Sequence, residues 1–266
     1  MVSPMDLELS GKVALVTGAS RGIGRGIALG LAAEGVHLVL CARGREDLDA
    51  AAGEARGRGV EVEAVALDVS AAGAVERLVA AARQRFGRLD VVVGNVGGNR
   101  RMSVERTTRE DWQDLLELNL LSHVDTCRAA LDLLPPRTGE RDGGVIVLVS
   151  SVFGREAGGP GLSLYNTTKA ALISFGKILS LELAPRGIRV VTVAPGSILF
   201  PGGSWDRRRR DDPEGIARFV AAELPFGRFG TVEEVADVVT FLCSPRASLV
   251  TGAAVAVDGG QGRSLI

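Results

Sequence analysis

The sequence predicts an α/β chain built on a doubly wound, seven-stranded parallel sheet flanked by helices. Three observations carry this. Seven short, branched apolar runs recur along the chain with helical stretches between them. Several runs are continuous rather than alternating, which suits strands covered on both faces. A glycine-rich turn joins the first run to the first helical stretch, as in open sheets that bind nucleotides at their carboxyl edge.

In chain order, strands are expected at Val13-Thr17, Val36-Cys41, Val60-Leu67, Leu89-Val93, Val145-Val149, Ile188-Val193 and Ala253-Val257. Helix Ile23-Glu34 carries Ile, Ala and Leu at helical spacings, and Arg45-Arg56 is charged and Ala-rich. Ala72-Phe86 has an apolar stripe through Val75, Leu78 and Val79. Glu110-Leu134 is long enough to bend near its middle. Tyr165-Leu183 follows Gly-rich sequence and stops at Pro185; Glu233-Leu242 stops before Ser-Pro. Pro201-Leu224 interrupts the alternation and contains Arg207-Arg210 followed by Asp211 and Asp212. It reads as a solvated helix start or turn, with a mobile cover over the ligand crevice as the competing reading. The alternation spans the chain, so residues 1–266 are expected to form one domain with a substrate-loop insertion at about 197–229.

Composition narrows the function. Of 266 residues, 46% are hydrophobic and 24% charged, which excludes a disordered chain. The net charge of -1 gives no support for a nucleic-acid surface. The three cysteines, Cys41, Cys127 and Cys243, match no zinc spacing, and the two histidines, His37 and His123, argue against a metal centre. The N-terminus has no apolar signal core, and no apolar run approaches the ~20 residues of a membrane span. A soluble protein without a metal centre, most simply in a reducing cytoplasm, is expected.

The first sharp motif is Thr17-Gly18-Ala19-Ser20-Arg21-Gly22-Ile23-Gly24. Gly18 and Gly22 allow a tight turn and close approach of a phosphate, and helix-terminal N–H groups can bind a diphosphate. Gly24 allows close helix packing. The spacing is GxxxGxG rather than GxGxxG. The end of the second strand supplies independent support: Arg43 stands where an acid would hold the ribose hydroxyls of NAD. With Arg21 it can pair with a 2'-phosphate, which favours NADP(H). Asp68, ending the third strand, either bonds the adenine amino group or caps Ser70-Ala71.

The second motif is Tyr165-Asn166-Thr167-Thr168-Lys169. One helical turn puts Tyr165 and Lys169 on one face. A nearby ammonium is expected to lower the phenol pKa, letting Tyr165 exchange a proton with an alkoxide. Tyr165 is the only tyrosine in the chain. Ser151, just after the fifth strand, can position a carbonyl oxygen, with Ser150 as the neighbouring alternative. Asn119 is polar among leucines. Its side chain or a helix-bend carbonyl can hold a water leading to Lys169, or it makes a structural hydrogen bond.

With these residues the chain resembles the classical short-chain dehydrogenase/reductase family over roughly residues 9–260, a Rossmann-fold family. The resemblance implies a catalytic tetrad of Asn119, Ser151, Tyr165 and Lys169. It implies cofactor contacts along the glycine loop at Gly18, Ser20, Arg21, Gly22, Ile23 and Gly24. Arg43, Asp68 and Val69 would serve the adenosine side. The family's Asn-Asn-Ala-Gly motif appears as Gly94-Asn95-Val96-Gly97, placing Asn95 and Gly97 at the cofactor together with Tyr165 and Lys169. Pro195 and Gly196 match the nicotinamide-side turn, and Val257-Asp258-Gly259-Gly260 matches a common C-terminal segment. Two positions depart. Gly94 replaces the first Asn, and Phe200 stands where members commonly place a Thr that binds the nicotinamide carboxamide. Backbone groups of Ile198 or the hydroxyl of Ser197 are the expected compensation.

The resemblance implies ketone–alcohol interconversion with NADP(H). The sequence is similar overall to 3-oxoacyl-[acyl-carrier-protein] reductases, with Arg137, Arg141 and Arg186 as candidate contacts for an acidic carrier protein. The rival readings are a dehydrogenase or reductase of a small alcohol, sugar or polycyclic substrate, and a catalytically inactive cofactor-binding regulator. Phe200, Trp205, Phe219, Leu224 and Phe226 suggest an apolar substrate wall. A homotetramer or homodimer is expected by the same resemblance.

Overall fold

A computed structural model describes residues 5–139 and 143–265. Arg141, one candidate carrier contact, lies outside them. Seven strands form one parallel sheet: β1 Val13–Thr17, β2 His37–Ala42, β3 Val62–Ala66, β4 Val91–Gly94, β5 Val145–Val149, β6 Arg189–Pro195 and β7 Ala254–Val257. Their spatial order is β3-β2-β1-β4-β5-β6-β7, so the chain reverses its winding between β1 and β4. At such a reversal the loops leaving the two strands diverge and open a crevice.

The continuous apolar runs are explained by burial on both faces. Ala14 and Val16 of β1 pack with Ile27, Leu31, Val235 and Val239 on one face. Val13 and Leu15 pack with Leu78, Leu172 and Leu179 on the other. The first layer holds α1 (Gly22–Ala33), α2 (Arg45–Arg56) and, counted last in the chain, α9 (Val232–Cys243). The second holds α3 (Ala74–Phe86), α5 (Ser122–Ala130) and α6 (Ser163–Leu183). A capping box of Thr231 with Glu234 starts α9.

The expected helix 110–134 is three pieces: α4 (Arg109–Leu116), a π turn over Glu117–Leu121, and α5. The wide turn is where the expected bend occurs, and it carries Asn119. Pro201-Leu224 is more ordered than a helix start or turn. It forms α7 (Ser204–Asp211) and α8 (Pro213–Glu223). Asp206 pairs with Arg209 and Arg210 within α7, and Asp212 caps α8 ahead of Pro213. No helix among the described residues is long and apolar enough to cross a membrane.

Candidate active site

A groove of about 480 Å³ opens at the carboxyl edge of the sheet, over the β1/β4 reversal. It is lined by Gly18, Ser20, Arg21, Ile23 and Gly24 from the glycine loop, and by Arg43, Asp68 and Val69 from the ends of β2 and β3. Asn95 and Gly97 come from the β4 end, Tyr165 and Lys169 from α6, and Gly196 and Ile198 from beyond β6. Residues distant in sequence therefore meet in one crevice. Gly22, Asn119, Ser151 and Pro195 are not part of this lining. Cys41, Ala42, Asn99 and Leu118 also line it and were not singled out from sequence.

Gly18 and Gly22 take φ of +67° and +55°, where a side chain would be strained. A Cβ on Gly24 would collide with the Gly18 carbonyl and the Asn95 amide. Asn95 ties the two loops together, its Nδ2 donating to Thr17 O (3.1 Å) and Gly18 O (3.2 Å). Thr17 Oγ1 accepts from Asn95 N at 3.0 Å. The Gly94 departure leaves this arrangement intact.

Of the two readings of Asp68, the cap is formed. Its Oδ1 accepts from Ser70 N (3.0 Å) and Ser70 Oγ (2.6 Å). Arg43 Nη1 lies 3.8 Å from the other oxygen. Burial works to raise the Asp68 pKa, but the Ser70 hydrogen bonds and the Arg43 charge outweigh it and hold the carboxyl below its usual range. The groove fits NADP(H): paired glycines beneath a helix N-terminus, Arg21 and Arg43 both in its lining, and no acid ending β2.

At the other end, the Ser151 hydroxyl accepts from Phe153 N at 3.2 Å and neighbours the Tyr165 phenol. Ser150, the neighbouring alternative, is committed elsewhere: its Oγ donates to Lys169 O at 2.8 Å. Lys169 Nζ donates to Val149 O at 3.0 Å and lies 6.0 Å from the centre of the Tyr165 ring. Burial pushes the Lys169 ammonium down to about 8. Burial also pushes the Tyr165 phenol up, with the neighbouring Ser151 hydroxyl opposing it. This corrects the expectation of a lowered phenol pKa. The ammonium is turned to a backbone carbonyl, and desolvation dominates. A phenol held protonated is a proton donor at neutral pH.

The Asn119 side chain is saturated by structural bonds. Its Oδ1 accepts from Gly98 N (2.8 Å), and its Nδ2 donates to Gly98 O (2.9 Å) and Thr168 Oγ1 (3.0 Å). Its side chain therefore fixes the β4 loop to α6. Sequence reasoning missed two further contacts. Gln261 Oε1 accepts from Ser197 N at 2.7 Å, holding the turn after Pro195-Gly196. His123 Nε2 lies 2.8 Å from Val96 O. The Ile198 segment is held by a parallel bridge to Gly230.

Phe200 turns its ring into the phosphate end of the groove. A Cβ on Gly22 would lie 2.7 Å from Phe200 Cζ. Trp205 lines the groove beside it, stacked on Phe219 (4.6 Å) and tilted against Phe229 (5.2 Å), with the Arg208 guanidinium 4.5 Å from its ring centre. Leu224 and Phe226 do not join this wall; they line a separate cavity of about 350 Å³ with Val257 and Gly260. Arg137 and Arg186 lie before β5 and β6, at the sheet edge opposite the groove, and Arg186 Nη2 caps the carbonyls of Leu131 and Leu134. Among the described residues no cluster of three or more His, Cys, Asp or Glu could hold a metal ion.

The reversal crevice, the glycine loop and the Ser-Tyr-Lys end together define a dinucleotide-dependent oxidoreductase of the open α/β class. A family model described as enoyl-(acyl carrier protein) reductase matches residues 18–261. The chain is 39% identical over 255 residues to the 3-oxoacyl-[acyl-carrier-protein] reductase of Synechocystis, covering 95% of this chain and 98% of that one. It is 36% identical to human dehydrogenase/reductase SDR family member 4, covering 95% and 88%. A structure of L-sorbose reductase from Gluconobacter frateurii, complexed with NADPH and L-sorbose, superposes with a TM-score of 0.91 at 35% identity, covering 98% and 100%. The chain belongs to the classical short-chain dehydrogenase/reductase family.

Proposed function

We propose that this chain interconverts a ketone and a secondary alcohol with NADP(H), and that its substrate is a small polar ketone of the keto-sugar kind. The observation that carries the chemistry is the grouping of buried Ser151 and Lys169 with Tyr165 at the carboxyl edge of the sheet, Lys169 Nζ lying 6.0 Å from the centre of the Tyr165 ring. Bound NADPH supplies the hydride. Ser151 donates a hydrogen bond to the carbonyl oxygen and places it. Tyr165, protonated because it is buried, delivers its proton to that oxygen as charge develops. In the reverse direction it takes the proton back. Lys169, still charged at neutral pH, stabilises the phenolate left behind. Asn119 keeps the β4 loop and α6 in register around them. Ser20, Ile23, Val69, Asn95, Gly97, Gly196 and Ile198 contact the cofactor, with Pro195 setting the final turn.

For the substrate, Trp205 lines the groove together with the polar side chains of Asn99 and Ser204. That mixture suits a hydroxylated ketone. The likeness to a sorbose reductase over nearly the whole chain supports the same class. Residues 197–229 are the substrate element of the single domain. A 3-oxoacyl thioester is the second reading, favoured by the Synechocystis relative. Within this chain, Arg137 and Arg186 do not border the groove, so they give that reading no support. Self-association through exposed Ile178 and Leu181 on α6 completes the proposal and is read by the mass in solution.

The test is a panel of keto-sugars, simple ketones and a 3-oxoacyl thioester with NADPH and NADH. Turnover of keto-sugars with NADPH supports the proposal. Turnover confined to the thioester replaces its substrate half. A tight NADPH complex with no turnover on any carbonyl supports the inactive-regulator reading.

A further inference from the structure

His123 lies on α5, four residues after Asn119, so both side chains leave the same helical face. Both reach the loop that follows β4. Asn119 grips Gly98 through its N–H and its carbonyl, while His123 Nε2 sits 2.8 Å from Val96 O. A carbonyl only accepts, so Nε2 carries the hydrogen and the ring is the neutral Nε2–H tautomer. Nδ1 is buried with no hydrogen-bond partner. It faces Gly94, where a Cβ would lie 2.5 Å away. The ring therefore fills room that exists because residue 94 has no side chain. Between the two gripped residues lies Gly97, where a Cβ would stand 3.2 Å from Lys169 Nζ.

We propose that His123 is a positioning residue of the reductase site. Seated against Gly94, its imidazole holds the Val96 carbonyl and so sets the height of the Gly97 backbone over Lys169 and the cofactor groove. The Gly94 departure from the family motif and the buried histidine are one device: the glycine admits the ring, and the ring supplies the hold on the loop. Charge on the imidazole is disfavoured by burial first and by Lys169 second, which keeps the required tautomer throughout the working pH range. The loop is pinned on its other side by Thr17 and by the Asn95 amide, so loss of the His123 bond frees only the Val96–Gly97 peptide.

The inference rests on the proposed roles of Tyr165 and Lys169, and its test separates the two. Full-length His123→Met keeps the side-chain length and loses the donor; His123→Gln keeps a donor able to reach Val96 O. NADPH Kd, kcat, carbonyl KM and Tm are measured for each. His123→Met is expected to weaken NADPH and lower kcat, each by about five- to tenfold, the scale of one lost hydrogen bond. Carbonyl KM should stay unchanged, and His123→Gln should recover most of both losses. Should His123→Met not fold, Gly94→Ala pushes on the ring from the other side and is expected to give the same split. Wild-type kcat and NADPH Kd in His123→Met, with only Tm lowered, reduce the histidine to packing and overturn the proposal. Equal losses in His123→Gln and His123→Met overturn it as well. Tyr165→Phe is run in parallel: if it retains turnover, the catalytic reading falls, and the NADPH Kd of the His123 pair still decides the loop claim.

Discussion

Arg43→Asp tests the cofactor assignment most directly. The Arg43 side chain is 73% exposed, and its Nη1 lies 3.8 Å from Asp68 at the adenosine end of the groove. At about 4 Å, two unit charges in water attract by about 1 kcal/mol. A 2'-phosphate carries close to two charges, so pairing with Arg43 contributes roughly 2 kcal/mol before screening. Replacement by Asp removes that attraction and adds a repulsion of similar size, beside the carboxylate of Asp68. Salt screening and the high exposure reduce the total to roughly 2–3 kcal/mol, or about thirty- to hundred-and-fiftyfold in kcat/KM for NADPH. NADH has no 2'-phosphate and should lose little, because the new carboxylate can accept from the ribose hydroxyls. The assay is kcat/KM for both cofactors at low salt and at ~0.3 M, where the Debye length has shortened and the gap should narrow. An unchanged NADPH/NADH ratio at low salt refutes the charge argument.

Tyr165→Phe should lower turnover by about 10²–10⁴-fold while NADPH titration stays near wild type, because no second tyrosine can take over the proton transfer. Phe200→Thr removes the ring lying on Gly22 and restores a hydroxyl; NADPH binding should tighten by about fivefold, and weaker binding would show that the ring supports the cofactor. Acid should destabilise the fold before the carboxylates titrate. His123 is held near 3 by burial and by Lys169, against about 6.5 in the unfolded chain. Between these values only the unfolded state takes up the proton, so the stabilisation present above pH 6.5 is lost as pH falls, by about 1.4 kcal/mol per unit. Urea unfolding from pH 6.5 to 5 should show this slope in wild type and not in His123→Met.

The sheet was legible because strands buried on both faces cannot hide: each must be an apolar run, as Val145–Val149 is. Strand limits are set by hydrogen-bond register, so Val60 reads as strand although pairing with β2 begins at Val62. The Arg run of α7 was opaque for another reason. Its helix is written in charge pairs from Asp206 rather than in apolar spacing, although Asp212-Pro213 was a readable start for α8. In the site, Tyr165 and Lys169 were legible because one helical turn joins them. Contacts across the fold have no such local spacing: His123 meets Val96 across 27 positions, and Gln261 meets Ser197 across 64. The two departures show the limit most sharply. Along the chain, Gly94 is a missing side chain and Phe200 a missing hydroxyl. In three dimensions Gly94 is space, and an imidazole occupies it. Phe200 is excess volume, and it rests on Gly22, in the part of the groove shaped for phosphate. A glycine that admits a neighbour is compensated by that neighbour, so the first departure can be neutral for catalysis. The Phe200 ring instead fills space over Gly22 and Gly203 at the glycine loop, so the second departure is expected to act on cofactor binding.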